Sequence, residues 1–122
     1  MKNGNMKALR VSVQSGRERS PDVKVSIADR FFRRAIGLLS RRSLPDDEAL
    51  LITPCASVHT FGMRFSIDVV FLGKRNEILK ISENVRPFGV CFAPRGTKSV
   101  LEMAAGNASR TGLVLDATLS FV

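Results

Sequence analysis

The stretch Ser57–Gly73, SVHTFGMRFSIDVVFLG, decides how this chain is read. In its second half Phe65, Ile67, Val69 and Phe71 alternate with Ser66, Asp68, Val70 and Leu72, so both faces of an extended segment are largely apolar. A strand covered on both faces lies in the middle of a sheet, and the fold must be built around it. An acid at Asp68 is costly there unless backbone N–H groups or a cation such as Arg64 hold it. The first half of the stretch places His59, the only histidine, close to Thr60, Phe61, Met63 and Arg64. Thr60-Phe61-Gly62 reads as a bend.

On either side the pattern remains β. Leu9, Val11 and Val13 alternate with Arg10, Ser12 and Gln14 over residues 7–13. A second short strand follows at Val23, Val25 and Ile27, after a polar loop over Ser15–Pro21. Further strands are expected at Ala49–Thr53, Ser66–Leu72, Glu77–Ser82, Phe88–Phe92, Lys98–Met103 and Ala117–Val122. Turn chemistry at Gly73–Asn76, Pro94–Gly96, Gly106-Asn107 and Thr111-Gly112 separates them. The period changes once: Phe32, Ala35, Ile36 and Leu39 recur at helical spacing from Asp29, a suitable N-cap, to Ser40. These elements predict a mainly β fold, a compact β-sandwich or distorted barrel of short strands with one amphipathic helix packed against it. Residues 1–6 are expected to be disordered and residues 7–122 to form a single domain.

At 122 residues the chain is long enough for one core. Its hydrophobic fraction of 44% and charged fraction of 25% are those of a soluble globular protein. No apolar run approaches the roughly 20 residues of a membrane helix, and the N-terminus has no signal-peptide core, so a cytoplasmic location is expected. Two cysteines, Cys55 and Cys91, are too few for a disulfide framework; they are expected to be free and half-buried, with a single bridge the alternative.

The net charge of +8 is uneven. Residues 1–44 hold eleven basic side chains against three acidic ones, and residues 45–122 hold eight of each. Arg30, Arg33, Arg34, Arg41 and Arg42 therefore form a candidate polyanion surface. Without Tyr or Trp there is little for nucleic-acid bases to stack on, and a solvated basic face is the better reading. Nucleic acid is not the expected partner.

Three constellations could carry chemistry. Cys55, His59 and Asp68 invite a nucleophilic reading, but nothing marks an activated thiol or an oxyanion hole. One histidine and two distant cysteines lack the paired spacing of a zinc site, so no metal or cofactor is expected. Glu102, in Val100-Leu101-Glu102-Met103, is a second acid inside an apolar strand. If it converged with Asp68, the pair could act as acid and base or hold a hard cation.

Three segments together resemble a known family: ADRFFRRAIGLLSR (residues 28–41), PCASVHTFGMRFSIDVVFLG (residues 54–73) and SVLEMAAG (residues 99–106). They are similar to the family called domain of unknown function 192, or uncharacterised protein family 0127, in its His-Thr-Phe-Gly-Met form. Gly37, Leu38, Met63, Arg64, Asp68, Leu101, Glu102 and Gly106 fall at positions of the family pattern, over about residues 23–122. Ser66 stands where the family usually has proline, Ala49 where glycine is frequent, and Leu115-Asp116 replaces a terminal Gly-Asp. Many relatives carry a secretion signal or lipid anchor, which this chain does not show. The resemblance implies a β-rich sandwich with a helix and a functional patch, and no reaction.

The resulting expectation is a monomeric binding or accessory domain. His59, Phe61, Met63, Arg64, Asp68 and Glu102 would line a patch for a small polar ligand or a partner protein. The alternatives are a small hydrolase using His59 with Asp68 or Glu102, and weak polyanion binding through residues 29–42.

Overall fold

Alternation is the local signal that most of the chain obeys. In a computed structural model, which describes residues 6–28, 44–54, 57–59 and 65–122, Leu9 and Val11 are fully buried on the first strand while Ala8–Arg10 neighbours turn outward. The strands are β1 (Met6–Ser12), β2 (Glu18–Arg19), β3 (Lys24–Ala28), β4 (Glu48–Ile52), β5 (Ser57–His59) and β6 (Ile67–Leu72). After them come β7 (Ile78–Val85), β8 (Val90–Phe92), β9 (Ser99–Ala104), the single-turn helix α1 (Asn107–Arg110) and β10 (Thr118–Phe121).

The main sheet runs β10-β1-β3-β4-β9-β6-β7, with β2 paired to β1, and a separate two-stranded ribbon joins β5 to β8. Every pairing is antiparallel except β3 with β4. The helix expected over Asp29–Ser40 lies outside the described residues. Of the described residues only Asn107–Arg110 are helical, at a place the sequence marks as a turn.

The expected sandwich or barrel is corrected to a curled, open half-barrel. Its two edge strands touch at one end. Glu77 bridges Thr118, Ile78 N–H donates to Ala117 O at 2.8 Å, and Leu119 N–H donates to Asn76 O at 2.9 Å. Beyond these bonds β7 and β10 are not partners in the sheet. The period-2 pattern marks which residues face inward but not which strand lies beside which, so it could not distinguish two layers from one curled layer.

The curl has two apolar faces. The inner core draws on the main-sheet strands and α1, with Leu9, Val11, Val25, Leu51, Val70, Leu72, Leu101, Met103 and Leu119 buried. The outer core is smaller: Leu44, Ile52, Ile67, Val69, Phe71, Val100 and, from β8, Cys91. Strand β6 is buried along its whole length, as expected for the central strand. Among the described residues no helix is long and apolar enough to cross a membrane.

The contact between the two edges depends on the turn that precedes β7. Gly73 N–H donates to Glu77 O, Asn76 N–H donates to Gly73 O, and Glu77 Oε1 accepts from Arg75 N–H at 2.8 Å. Bonds from the backbone N–H groups of Glu77 and Arg75, with a smaller contribution from the Arg75 charge, hold the Glu77 carboxyl below its ordinary value of 4.5. The stabilisation is therefore complete above that value and is lost as pH falls through the lowered folded one. Glu77→Gln should make the fall in urea midpoint between about pH 5 and pH 2.5 shallower than in the parent. An identical acid limb in both proteins would count against this role.

Candidate functional site

Asp68 lies on the inner face of β6, opposite Met103 of β9, and is fully buried. Facing it, β7 carries an extra residue. Ile67 pairs with Val85 and Val69 with Ser82, so Glu83 and Asn84 together oppose Asp68. Such a bulge leaves an N–H without a ladder partner. Asn84, at φ 53°, donates that N–H to Asp68 Oδ1 at 2.9 Å. The other oxygen, Oδ2, accepts the Ala108 N–H at 2.9 Å. Ala108 lies in the first turn of α1, whose N-cap Gly106 sits at φ 90° and offers no side chain to cap it. Asp68 thus acts as the missing cap from another element, and its two bonds tie β6, the β7 bulge and α1 together. The holders are backbone N–H groups; Arg64 lies outside the described residues.

Glu102 is also fully buried, but on the other side of the sheet. It pairs with Val69 of β6 and Leu50 of β4, and directly paired residues share a face. Asp68 pairs with Met103 instead, so the two carboxylates point to opposite faces of one sheet. The acid–base or cation pair that would have required their convergence is not formed. Among the described residues no group of three His, Cys, Asp or Glu side chains could hold a metal ion.

Glu102 has different neighbours. Across Val69 its row continues to Ser82 of β7, and the next row pairs Phe71 with Lys80. Cys91 of β8 covers this region and is a free, buried thiol. Burial pushes its pKa above the ordinary 9.0, and Glu102 adds to the rise; the Ser82 hydrogen bond and the Lys80 charge oppose it. Lys80 Nζ donates to Phe92 O at 3.0 Å and stands 5.7 Å from the centre of the Phe71 ring. These contacts fasten β8 to the outer face. A thiol raised in this way is a poor nucleophile near neutrality. Cys55 lies outside the described residues, as do Phe61, Met63, Arg64, Arg30, Arg33, Arg34, Arg41 and Arg42.

His59 is the last residue of β5 and pairs with Val90, while Val58 pairs with Cys91 and Ser57 with Phe92. The strand expected over Phe88–Phe92 is shorter, Val90–Phe92, and with the turn before it exposes apolar residues: Phe92 is 75% exposed, Val90 49% and Phe88 68%. The Pro87-Phe88-Gly89 sequence was the available signal. Arg86 O accepts from Gly89 N–H at 3.0 Å, and Phe88 has φ 65°. With Pro87 before it, Phe88 occupies the position of a type II turn that normally takes glycine or asparagine.

Two measurements check these assignments. Asp68→Ala should destabilise the fold by on the order of 3 kcal/mol or more, because two buried N–H groups lose a charged acceptor. Denaturation in urea reads this, and a loss under about 1 kcal/mol would refute the role. For Cys91 the raised folded pKa means that its contribution is present below the unfolded value and is lost as pH rises through the folded one. Cys91→Ala should therefore flatten the alkaline fall in stability above about pH 9, and parent Cys91 should alkylate more slowly than a free thiol at the same pH.

Comparison with known proteins agrees with this architecture. The family model DUF192, described as uncharacterized ACR, matches residues 11–121. The match begins earlier than the expected residue 23 and takes in β2 and part of β1. A UPF0127 protein of Pyrococcus abyssi is 33% identical over 88 residues, spanning 68% of this chain and 73% of the relative. A crystal structure from Sinorhizobium meliloti 1021, named as a candidate transcription regulator, aligns with a TM-score of 0.78 at 24% identity, covering 95% of this chain and 93% of that one. A protein of unknown function from Novosphingobium aromaticivorans aligns with a TM-score of 0.78 at 23% identity, covering 94% and 84%. These two structural likenesses speak for the fold alone.

Proposed function

This chain belongs to the uncharacterized DUF192 family, and we propose that it is a binding and accessory module that docks a polypeptide partner on the β5–β8 ribbon. The observation that carries the reading is Phe88, a bulky side chain at φ 65° that is 68% exposed. A non-glycine residue in the left-handed region costs about 1 kcal/mol or more, and burial of this ring does not offset that cost. Strain retained at an exposed aromatic side chain points to use of that side chain.

Phe88, Val90 and Phe92 occur within five residues, bracketed by Arg86 and Arg95. Aromatic anchors inside a basic rim suit a partner that presents apolar side chains flanked by acidic ones. An exposed apolar strip gives a small polar ligand no enclosure, so it favours the polypeptide among the two expected occupants. In this proposal His59, which pairs with Val90 of β8, belongs to the binding surface, and Phe61, Met63 and Arg64 stay candidate binding residues on the sequence alone. Asp68 serves as a positioning residue beneath the sheet. Its two engaged oxygens support the binding reading over general acid–base work.

The test uses isotopically labelled protein, with acidic amphipathic peptides, mixed metabolites and a short RNA as separate arms. Peptides should shift amides of Ser57–His59 and Arg86–Phe92. Phe88→Gly should raise the thermal midpoint, since it removes about 1 kcal/mol of backbone strain, and weaken the peptide response. Response to metabolites alone, or to RNA alone at low salt, would overturn the proposal. A Phe88→Gly variant that binds peptides as the parent does would overturn it too.

A further inference from the structure

Away from the ribbon, a cleft of about 350 Å³ opens between the β2–β3 connection and α1, lined by Arg19, Ser20, Pro21, Asp22, Arg110 and Thr111. We propose that this cleft binds a small oxyanion, a phosphate or carboxylate group, between the Arg19 and Arg110 guanidinium groups.

Two independent arrangements set the guanidinium groups in place. Arg110 is the last residue of α1. Its Nε donates to Asn107 Oδ1 at 2.7 Å and its Nη2 donates to Asp46 O at 2.7 Å. Asn107 is itself held, because its Nδ2 donates to the same Asp46 carbonyl at 2.6 Å. Both hydrogen bonds use only part of a group that has five N–H donors, so Arg110 is oriented with donors to spare. A long side chain fixed before binding loses less freedom when the ligand arrives.

Arg19 comes from the opposite wall, on β2, which pairs with β1 through Val11. Its guanidinium rests against Gly112, in the space that a Cβ would occupy. Gly112 has φ 78°, so the turn after α1 requires glycine and the arginine uses the room left by its missing side chain. Thr111, 4% exposed, adds a wall to the cleft, and its hydroxyl is engaged in donating to Asn107 O at 2.6 Å.

The charge count favours an anion. Two arginines face one acid, Asp22, leaving one net positive charge in a chain that carries +8. Planar guanidinium groups match the paired oxygens of carboxylate and phosphate. The volume suits a small ligand and is too small for a folded partner.

Inorganic phosphate and acetate, titrated separately into the labelled full chain at constant ionic strength with chloride, test this. Saturable shifts confined to Arg19–Asp22 and Arg110–Gly112 are expected from at least one of them, and the responding anion identifies the headgroup class. Arg19→Gln should weaken binding at least roughly tenfold, and Arg19→Lys should weaken it as well, because the fork geometry is lost while the charge stays. Asp22→Asn should tighten binding by about twofold to fivefold through removal of a like charge. A response to neither anion, equal shifts from chloride, or full-strength binding by Arg19→Lys would overturn the site.

Discussion

Everything described about the interior depends on one carboxylate. Asp68 sits at the middle of the central strand and gives one oxygen to the bulge of β7 and the other to the first turn of α1. Without the bulge β7 would continue in flat register with β6, and the curl would lose a local source of twist. Without the second bond, α1 would start at a glycine with no side-chain acceptor for its N–H groups. A short helix of four residues has little stability of its own, so it persists because Asp68 and the packing of Ala108 and Leu113 hold it. The cost of burying the acid is offset by two hydrogen bonds to its charged form.

The sheet divides the work between its faces. The inner face supplies most of the core and carries Asp68. The outer face carries Glu102, Ser82 and Lys80 beneath Cys91, and the β5–β8 ribbon is fastened there by the Lys80 bond to Phe92 O. Anchoring β8 through its backbone and its buried central residue leaves Val90 and Phe92 directed away from the core. A ribbon held in this way can present apolar side chains without needing them for its own stability. The arginine cleft follows the same logic at another place: the turn after α1 and the β2 wall are fixed by backbone pairing and by Asn107, and the charged groups ride on that scaffold.

Particular residues show how much the sequence determined. Alternation in Leu9-Arg10-Val11 and in Val25-Ser26-Ile27, and the apolar run bounded by turns at Lys98–Met103, placed three strands within a residue or two of their observed limits. Doubled apolar character marked β6 as central. The expense of an acid at Asp68 required partners for it, and backbone N–H groups were among those named. These inferences succeed because burial acts on each side chain locally, and a period of two records it along the chain. Two-residue β2 and single-turn α1 were missed because neither is long enough to leave a period. The exposure of Phe88 and Phe92 was not legible, because an apolar side chain used at a surface has the same composition as one used in a core.

What only tertiary structure decided is relative placement. Asp68 and Glu102 lie on strands whose registers put Asp68 against Met103 and Val69 against Glu102, and one residue of offset sends the two acids to opposite faces. Arg19 and Arg110 line one cleft although ninety-one positions separate them in the sequence. The order of strands in the curl and the touching of its two edges are likewise absent from any single segment. The sequence by itself determined which residues are extended, which are buried and which buried group must be bonded, since each follows from local hydrophobicity and hydrogen-bond need. Which segments become neighbours was decided by pairing between distant strands, a property that no stretch of the chain carries alone.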